Sequence, residues 1–126
     1  MSEKTIAEKL LLKPGRKLKL IHPPTGYLEN LGALPAFAKI VPISEPADVV
    51  QLFIRSYAEL EVELPKAREL VQPMSIFWVS YPKQPGPIRT DIDRDILIEY
   101  ARLRNWKGNG MISINNAWAA MRFKTQ

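Results

Sequence analysis

Ile76-Phe77-Trp78-Val79-Ser80-Tyr81-Pro82-Lys83 is the stretch on which the reading of the fold turns. A β-branched and aromatic run, Ile76 to Val79, passes through Ser80 into a turn braked by Pro82 and carrying one cation, Lys83. Unbroken apolar character of this kind belongs to a strand covered on both faces, the environment of parallel strands in α/β folds. Such folds bind ligands at the carboxyl ends of their strands, which makes Tyr81 and Lys83 candidate ligand-binding residues. No complete motif in the chain defines a reaction.

Working outward toward the N-terminus, Val49 to Ile54 is nearly continuous in apolar character and reads as a central strand, with Arg55 and Ser56 at its carboxyl end. Residues 37–43 form a shorter strand. Lys17 to Ile21 alternates and predicts a first strand ending at His22, because Pro23-Pro24-Thr25-Gly26 forbids continuation. A helical turn follows over residues 27–31, with Gly32 as its cap. Residues 3–12 carry a weak helical pattern stopped by Lys13-Pro14-Gly15. Downstream of the central strand, Leu60, Leu64, Ala67 and Val71 recur at helical spacing, and Pro65 predicts a break there. The opening strand spans residues 75–80. Lys83 to Pro87 is a stiff loop, and Thr90 caps a helix over residues 91–105 whose buried face is Ile92, Ile96, Tyr100 and Leu103. Terminal strands at 111–115 and 118–124 close the chain. The order βαββαβαββ predicts one α/β domain over residues 1–126. It is a Rossmann-like three-layer sandwich with a mostly parallel sheet and a C-terminal antiparallel hairpin.

A chain of 126 residues with 46% hydrophobic and 25% charged residues can bury a core of its own. It contains no cysteine and one histidine, His22. That excludes disulfides, thiolate catalysis and cysteine-based or multi-histidine metal sites, so no metal is expected. The absence of a signal-like N-terminus or a membrane-length apolar run points to a cytoplasmic protein without a membrane partner. The net charge of +5 is uneven: residues 1–20 sum to +4, residues 102–126 carry five cations and no acid, and the middle is −4. If the ends meet, they form a basic surface able to attract nucleic acid, although no arginine-rich or aromatic-interleaved cluster accompanies it, and a solvated face is the favoured reading.

The residues also carry a resemblance. Lys13-Pro14-Gly15, Pro24 to Tyr27, Leu31-Gly32, Leu34-Pro35, Asp48-Val49-Val50 and Leu52-Phe53 form its first half. Glu59-Leu60, Leu64-Pro65, Trp78-Val79, Tyr81-Pro82-Lys83, Thr90-Asp91, Trp118 and Arg122-Phe123 extend it. Together they resemble, over nearly the whole chain, an uncharacterised bacterial family, domain of unknown function number three thousand and fifty-two in its series. That family has no assigned activity. Its organisation is similar to the C-terminal half of a Rossmann-type methyltransferase, an analogy of fold only. Members of the family usually carry an Asp-Glu pair where this chain has Asn115-Asn116, and hydroxyl residues at Ala117 and Ala119. The departure implies that acid/base chemistry at those positions is lost here.

The loop after the first strand offers one glycine where dinucleotide binders need several, which argues against a nicotinamide cofactor and lends adenosylmethionine little more support. The cofactor therefore stays unknown. His22 sits at a strand end and can exchange protons near neutral pH, though a backbone-bonded histidine is the simpler reading. Arg55 and Lys83 fall at one sheet edge, where they could hold an anion or else pair with Asp48 or Asp91. Trp118 and Arg122 share one face of the last strand with Ala120 between them, which leaves room for a planar ligand unless Trp118 is simply core. Asp91, Asp93 and Asp95 complement a helix start and need no catalytic role.

The sequence thus favours a non-catalytic binding or regulatory module. Its shallow anion-accepting cleft is lined by His22, Tyr27, Arg55, Tyr81 and Lys83, with Trp118 and Arg122 as further candidates. The partner is a small anion or a protein, and unpaired edge strands allow a homodimer. The alternatives are a small-molecule enzyme of methyltransferase-like ancestry and a weak nucleic-acid binder acting through the basic termini.

Overall fold

The computed structural model describes residues 4–125. In chain order the elements are α1 (Ile6–Lys9), β1 (Lys17–Ile21), α2 (Tyr27–Asn30), β2 (Lys39–Val41), β3 (Val49–Phe53), α3 (Tyr57–Leu70), β4 (Ile76–Pro82), α4 (Arg94–Arg102), β5 (Trp106–Ser113) and β6 (Trp118–Thr125). The strands form one six-stranded sheet in the order β2-β1-β3-β4-β6-β5. The first four are parallel, and β6 runs antiparallel to both β4 and β5. This is the expected Rossmann-like α/β sheet with its C-terminal antiparallel pair.

Every residue of β3 is buried, as its apolar sequence demands. On one face Val50, Leu52, Phe77 and Val79 meet Leu60, Leu64 and Ala67 of α3 and Leu97, Tyr100 and Ala101 of α4. On the other, Leu18, Val49, Phe53, Trp78 and Trp118 meet Ala7 of α1, Tyr27 of α2 and Leu31. Each such Leu or Phe contributes about 1.5–3 kcal/mol of burial. The Trp78 indole N–H donates to the Leu10 carbonyl at 3.0 Å, tying the N-terminal segment to the sheet.

Parallel neighbours need a crossover, which α3 supplies between β3 and β4. The link from β2 to β3 is different. Residues 42–48 carry the chain back without a helix, and Asp48 N–H closes on the Lys17 carbonyl at 3.0 Å. The return is this short because β2 stops at Val41, level with Lys19, two residues before the end of β1.

Several boundaries differ from the sequence reading. The first helix is one turn, closed by a Thr5–Glu8 capping box and ended where Leu11 takes a left-handed conformation (φ 68°); residue 3 lies outside the described residues. The shorter second strand loses Phe37 and Ile43 to solvent. Pro65 does not break α3, because it sits on the exposed side, where the lost backbone hydrogen bond faces water. α4 is capped by Asp93, whose carboxylate accepts from Ile96 N–H, while the Thr90 hydroxyl donates to the Arg55 carbonyl. Its inward face is Leu97, Tyr100 and Ala101, leaving Ile96 and Leu103 exposed. β5 begins at Trp106, five residues early, since that indole is buried beside Phe77 at 5.0 Å and pulls the glycine-rich tract into the sheet. The tract's irregularity survives as a register shift between Gly108 and Met111.

Candidate functional site

The chain leaves β1 for β2 on one side and reaches β3 on the other, so the topological switch point lies at the carboxyl ends of β1 and β3. Its own aromatic side chains fill the α2 side of that crevice. Tyr27 meets Phe53 edge-on at 4.6 Å, Phe53 meets Trp118 edge-on at 5.2 Å, and the Arg55 guanidinium caps the Trp118 ring at 5.5 Å. Beneath them runs a buried polar chain. The Tyr27 hydroxyl donates to Gln51 Oε1 at 2.7 Å, and Gln51 Nε2 donates to Ser80 Oγ at 2.8 Å. Burial pushes the Tyr27 phenol far above the ordinary tyrosine range, against the opposing hydrogen bond to Gln51. The sequence reading did not single out Gln51 or Ser80. The available signal was a lone amide inside Val49 to Ile54 and a lone hydroxyl closing Ile76 to Val79.

A cavity of about 420 Å³ opens at the carboxyl end of β4, lined by Tyr81, Lys83, Asp93, Arg94, Asp95 and Met111 among others. Its size falls within the range of small-molecule sites. β4 delivers Tyr81 and the turn after it delivers Lys83, whose backbone N–H is fixed to the Ala117 carbonyl at 2.9 Å. Gly86 lets the following loop fold back, since a Cβ there would stand 2.5 Å from the Lys83 carbonyl oxygen. The Lys83 ammonium donates to Ser113 Oγ at 2.7 Å, and the Tyr81 hydroxyl reaches Met111 Sδ at 3.2 Å. Burial raises the Tyr81 phenol; Arg94 opposes the shift and Asp93 and Asp95 add to it. The tyrosine is therefore a neutral hydrogen-bond donor at neutral pH. With Lys83 and Arg94 it forms a set of donors suited to a substrate carbonyl or carboxylate.

The seven sequence candidates do not share one cleft. Tyr81 and Lys83 come together in the cavity just described. His22 turns outward from the end of β1 and meets Glu63 of α3 at 3.1 Å. Tyr27 and Trp118 are buried in the core, with Arg55 over Trp118. Arg122 pairs with Trp78 in the β4–β6 ladder and lines a different cavity toward the amino end of β4. Asn115 is a turn residue: its Oδ1 accepts from Ala117 N–H and Trp118 N–H at 2.9 and 3.0 Å, closing the β5–β6 hairpin. Among the described residues no cluster of three metal-ligating side chains forms, and no helix is long and apolar enough to cross a membrane.

Compared with protein-family models and with curated proteins, the chain finds no match. Solved structures do resemble it. One is DhpI in complex with SAH, at 10% identity and a TM-score of 0.59, covering 95% of this chain and 82% of that one. A second is the B. subtilis tRNA methyltransferase TrmK, at 9% identity and 0.55, covering 97% and 64%. A third is the ribosomal protein L11 methylase of Lactobacillus delbrueckii subsp. bulgaricus, at 11% and 0.54, covering 96% and 75%. The methyltransferase-like organisation is thereby established at the level of fold. The expectation of a non-catalytic binding or regulatory module is corrected: the solved structures that share this fold over nearly the whole chain include methyltransferases.

The residues at the switch point do not fit adenosylmethionine held in the manner of a Rossmann crevice. Pro23 and Pro24 bring no N–H to the β1 loop, and α2 is a single turn. The recessed end of β2 is followed by Pro42-Ile43-Ser44, and the next acid, Glu45, is paired with Lys17 at the opposite end of β1.

Proposed function

We propose that this chain is an enzyme of methyltransferase-like ancestry that acts on a carbonyl- or carboxylate-bearing small molecule at the carboxyl end of β4. The observation that carries the reading is the cavity of about 420 Å³ with Tyr81, Lys83 and Arg94 on its wall, in a fold shared with methyltransferases. Tyr81 donates a hydrogen bond to the substrate oxygen, Lys83 supplies positive charge beside it, and Ser113 orients the ammonium. Placing the reacting centre here agrees with the poor fit of the β1 loop to a nucleoside. Membership of the uncharacterised bacterial family is part of the same proposal and rests on the quoted residues.

Incubation of the protein with a small-molecule cell extract, with and without added adenosylmethionine, tests this by mass spectrometry. At least one compound is expected to be consumed by the wild type and left largely intact by Lys83→Ala and Tyr81→Phe. Consumption that requires adenosylmethionine, with transfer of its methyl group to the consumed compound, would identify methyl transfer. A wild-type protein that consumes nothing under either condition, or consumption untouched by both variants, overturns the proposal.

A further inference from the structure

On the face of the sheet opposite the Tyr81–Lys83 cavity, the segment before β1 and the segment after α2 enclose a groove of about 490 Å³. Leu11, Leu12 and Pro14 line it from the first segment, and Ala33, Leu34 and Pro35 from the second. Backbone hydrogen bonds tie the two segments together. Gly15 N–H donates to the Ala36 carbonyl at 2.9 Å, and Ala7 N–H to the Leu31 carbonyl at 3.4 Å. The groove is therefore formed before any ligand arrives, as small-molecule sites of this size usually are.

Leu11 is presented to the groove at a conformational cost, because a bulky residue in the left-handed region (φ 68°) is a genuine outlier. Its surroundings hold it there: Leu11 N–H donates to the Glu8 carbonyl at 3.0 Å, and Arg16 Nη1 donates to the Leu11 carbonyl at 3.1 Å. Strain maintained in this way belongs to ligand clamps and similar functional sites. Three charged side chains, Lys4, Glu8 and Lys13, complete the lining. The Thr5 backbone N–H, at 2.9 Å, holds the Glu8 carboxyl below the usual carboxylate range, and Lys4 adds to the effect. Lys4 and Glu8 thus offset each other. Lys13 is exposed and among the described residues forms no ion pair. With two lysines against one glutamate, the groove keeps one uncompensated positive charge.

An apolar trough with a single net positive charge complements an aliphatic body with a single negative head. We infer that this groove is a second ligand site, separate from the one at the carboxyl end of β4, and that it takes a medium-chain aliphatic monocarboxylate. The chain lies on Leu11, Leu12 and Leu34, and the carboxylate meets Lys13. A second copy of this protein is the competing occupant, through Phe37, whose ring is 91% exposed. Charge disfavours it, since the stretch Ala36-Phe37-Ala38-Lys39 brings a cation and no acid to the Lys13 rim.

Sodium decanoate is the probe, titrated below its micelle threshold by calorimetry. One saturable site is expected, about tenfold tighter than for octanoate because two more methylenes are buried. Lys13→Glu is expected to weaken decanoate about tenfold while leaving decan-1-ol, which has no charge, within twofold. Ala33→Trp fills the groove from an exposed position and is expected to abolish binding of both, with circular dichroism checking the fold of each variant. Lys66→Glu, exposed on α3 across the sheet, makes the same change of charge and is expected to leave binding within twofold. Equal weakening by Lys66→Glu, decan-1-ol binding as tightly as decanoate, binding untouched by Ala33→Trp, or no saturable binding at millimolar decanoate overturns the proposal. A dimer seen by sedimentation without decanoate, and lost in Phe37→Ala and Ala33→Trp alike, would also overturn it, in favour of a second copy.

Discussion

Tyr27, Gln51 and Ser80 form a chain in which each hydrogen bond leaves the next group no other partner, since all three residues are buried. Replacing the central amide strands the two hydroxyls. Gln51→Leu is therefore expected to lose about 2–5 kcal/mol in urea unfolding, whereas adding Tyr27→Phe and Ser80→Ala to it recovers much of the loss. A triple variant no more stable than Gln51→Leu would show that packing, not hydrogen bonding, sets the cost. The same tyrosine makes stability depend on alkaline pH. The folded protein holds the phenol proton to higher pH than the unfolded chain does. Its contribution is fully present below about pH 10 and falls as pH rises from there toward the folded-state value. Tyr81 and Tyr100 are shifted in the same direction, so Tyr27→Phe should lessen the alkaline fall, followed by thermal melts between pH 9 and 11, without abolishing it. Tyr81 and Lys83, which line one cavity, were placed together from the sequence because a strand end announces itself locally. Sequence reading could not reach Gln51 and Ser80 as a pair, which meet only through the β3–β4 register.

α3 shows which local signals govern an element and which are overruled. Pro65 removes a donor from the ninth of fourteen helical positions, yet Leu60, Leu64 and Ala67 on the inward face hold the helix through it. Restoring the missing hydrogen bond with Pro65→Ala is expected to stabilise the protein by about 1–3 kcal/mol in thermal or urea unfolding. No gain would mean that the proline ring makes up the difference by constraining the unfolded chain. Strands β3 and β4 were legible because both faces of each are buried and their sequences say so, and β1 because its alternation runs into Pro23-Pro24. β5 was not, because its exposed glycine-rich tract carries no strand pattern of its own and is extended only by the ladder to β6 and by Trp106 below it. α4 was expected over residues 91–105 with Thr90 as its cap, and it is shorter at both ends and rotated, with Asp93 as the cap.

For the whole molecule, the parallel core and antiparallel hairpin followed from the order of elements, while the make-up of the cavities at the two ends of β4 did not. Sequence distance conceals which residues the topology gathers at each rim: Arg68 and Arg122 both line the cavity at the amino end of β4. The helix-free return from β2 has a consequence for what the protein can carry. Pro42, Ile43 and Ser44 are exposed, at the start of that link where it leaves the edge strand β2. Extra chain added between the exposed Ile43 and Ser44 meets no buried side chain at the point of insertion. A fluorescent domain spliced between Ile43 and Ser44 on flexible linkers should leave the melting temperature of the host within a few degrees and its two cavities intact, whereas the same graft between Gly86 and Pro87 should disturb Lys83. The link is thus a built-in grafting port, the natural place from which to watch this protein inside a cell.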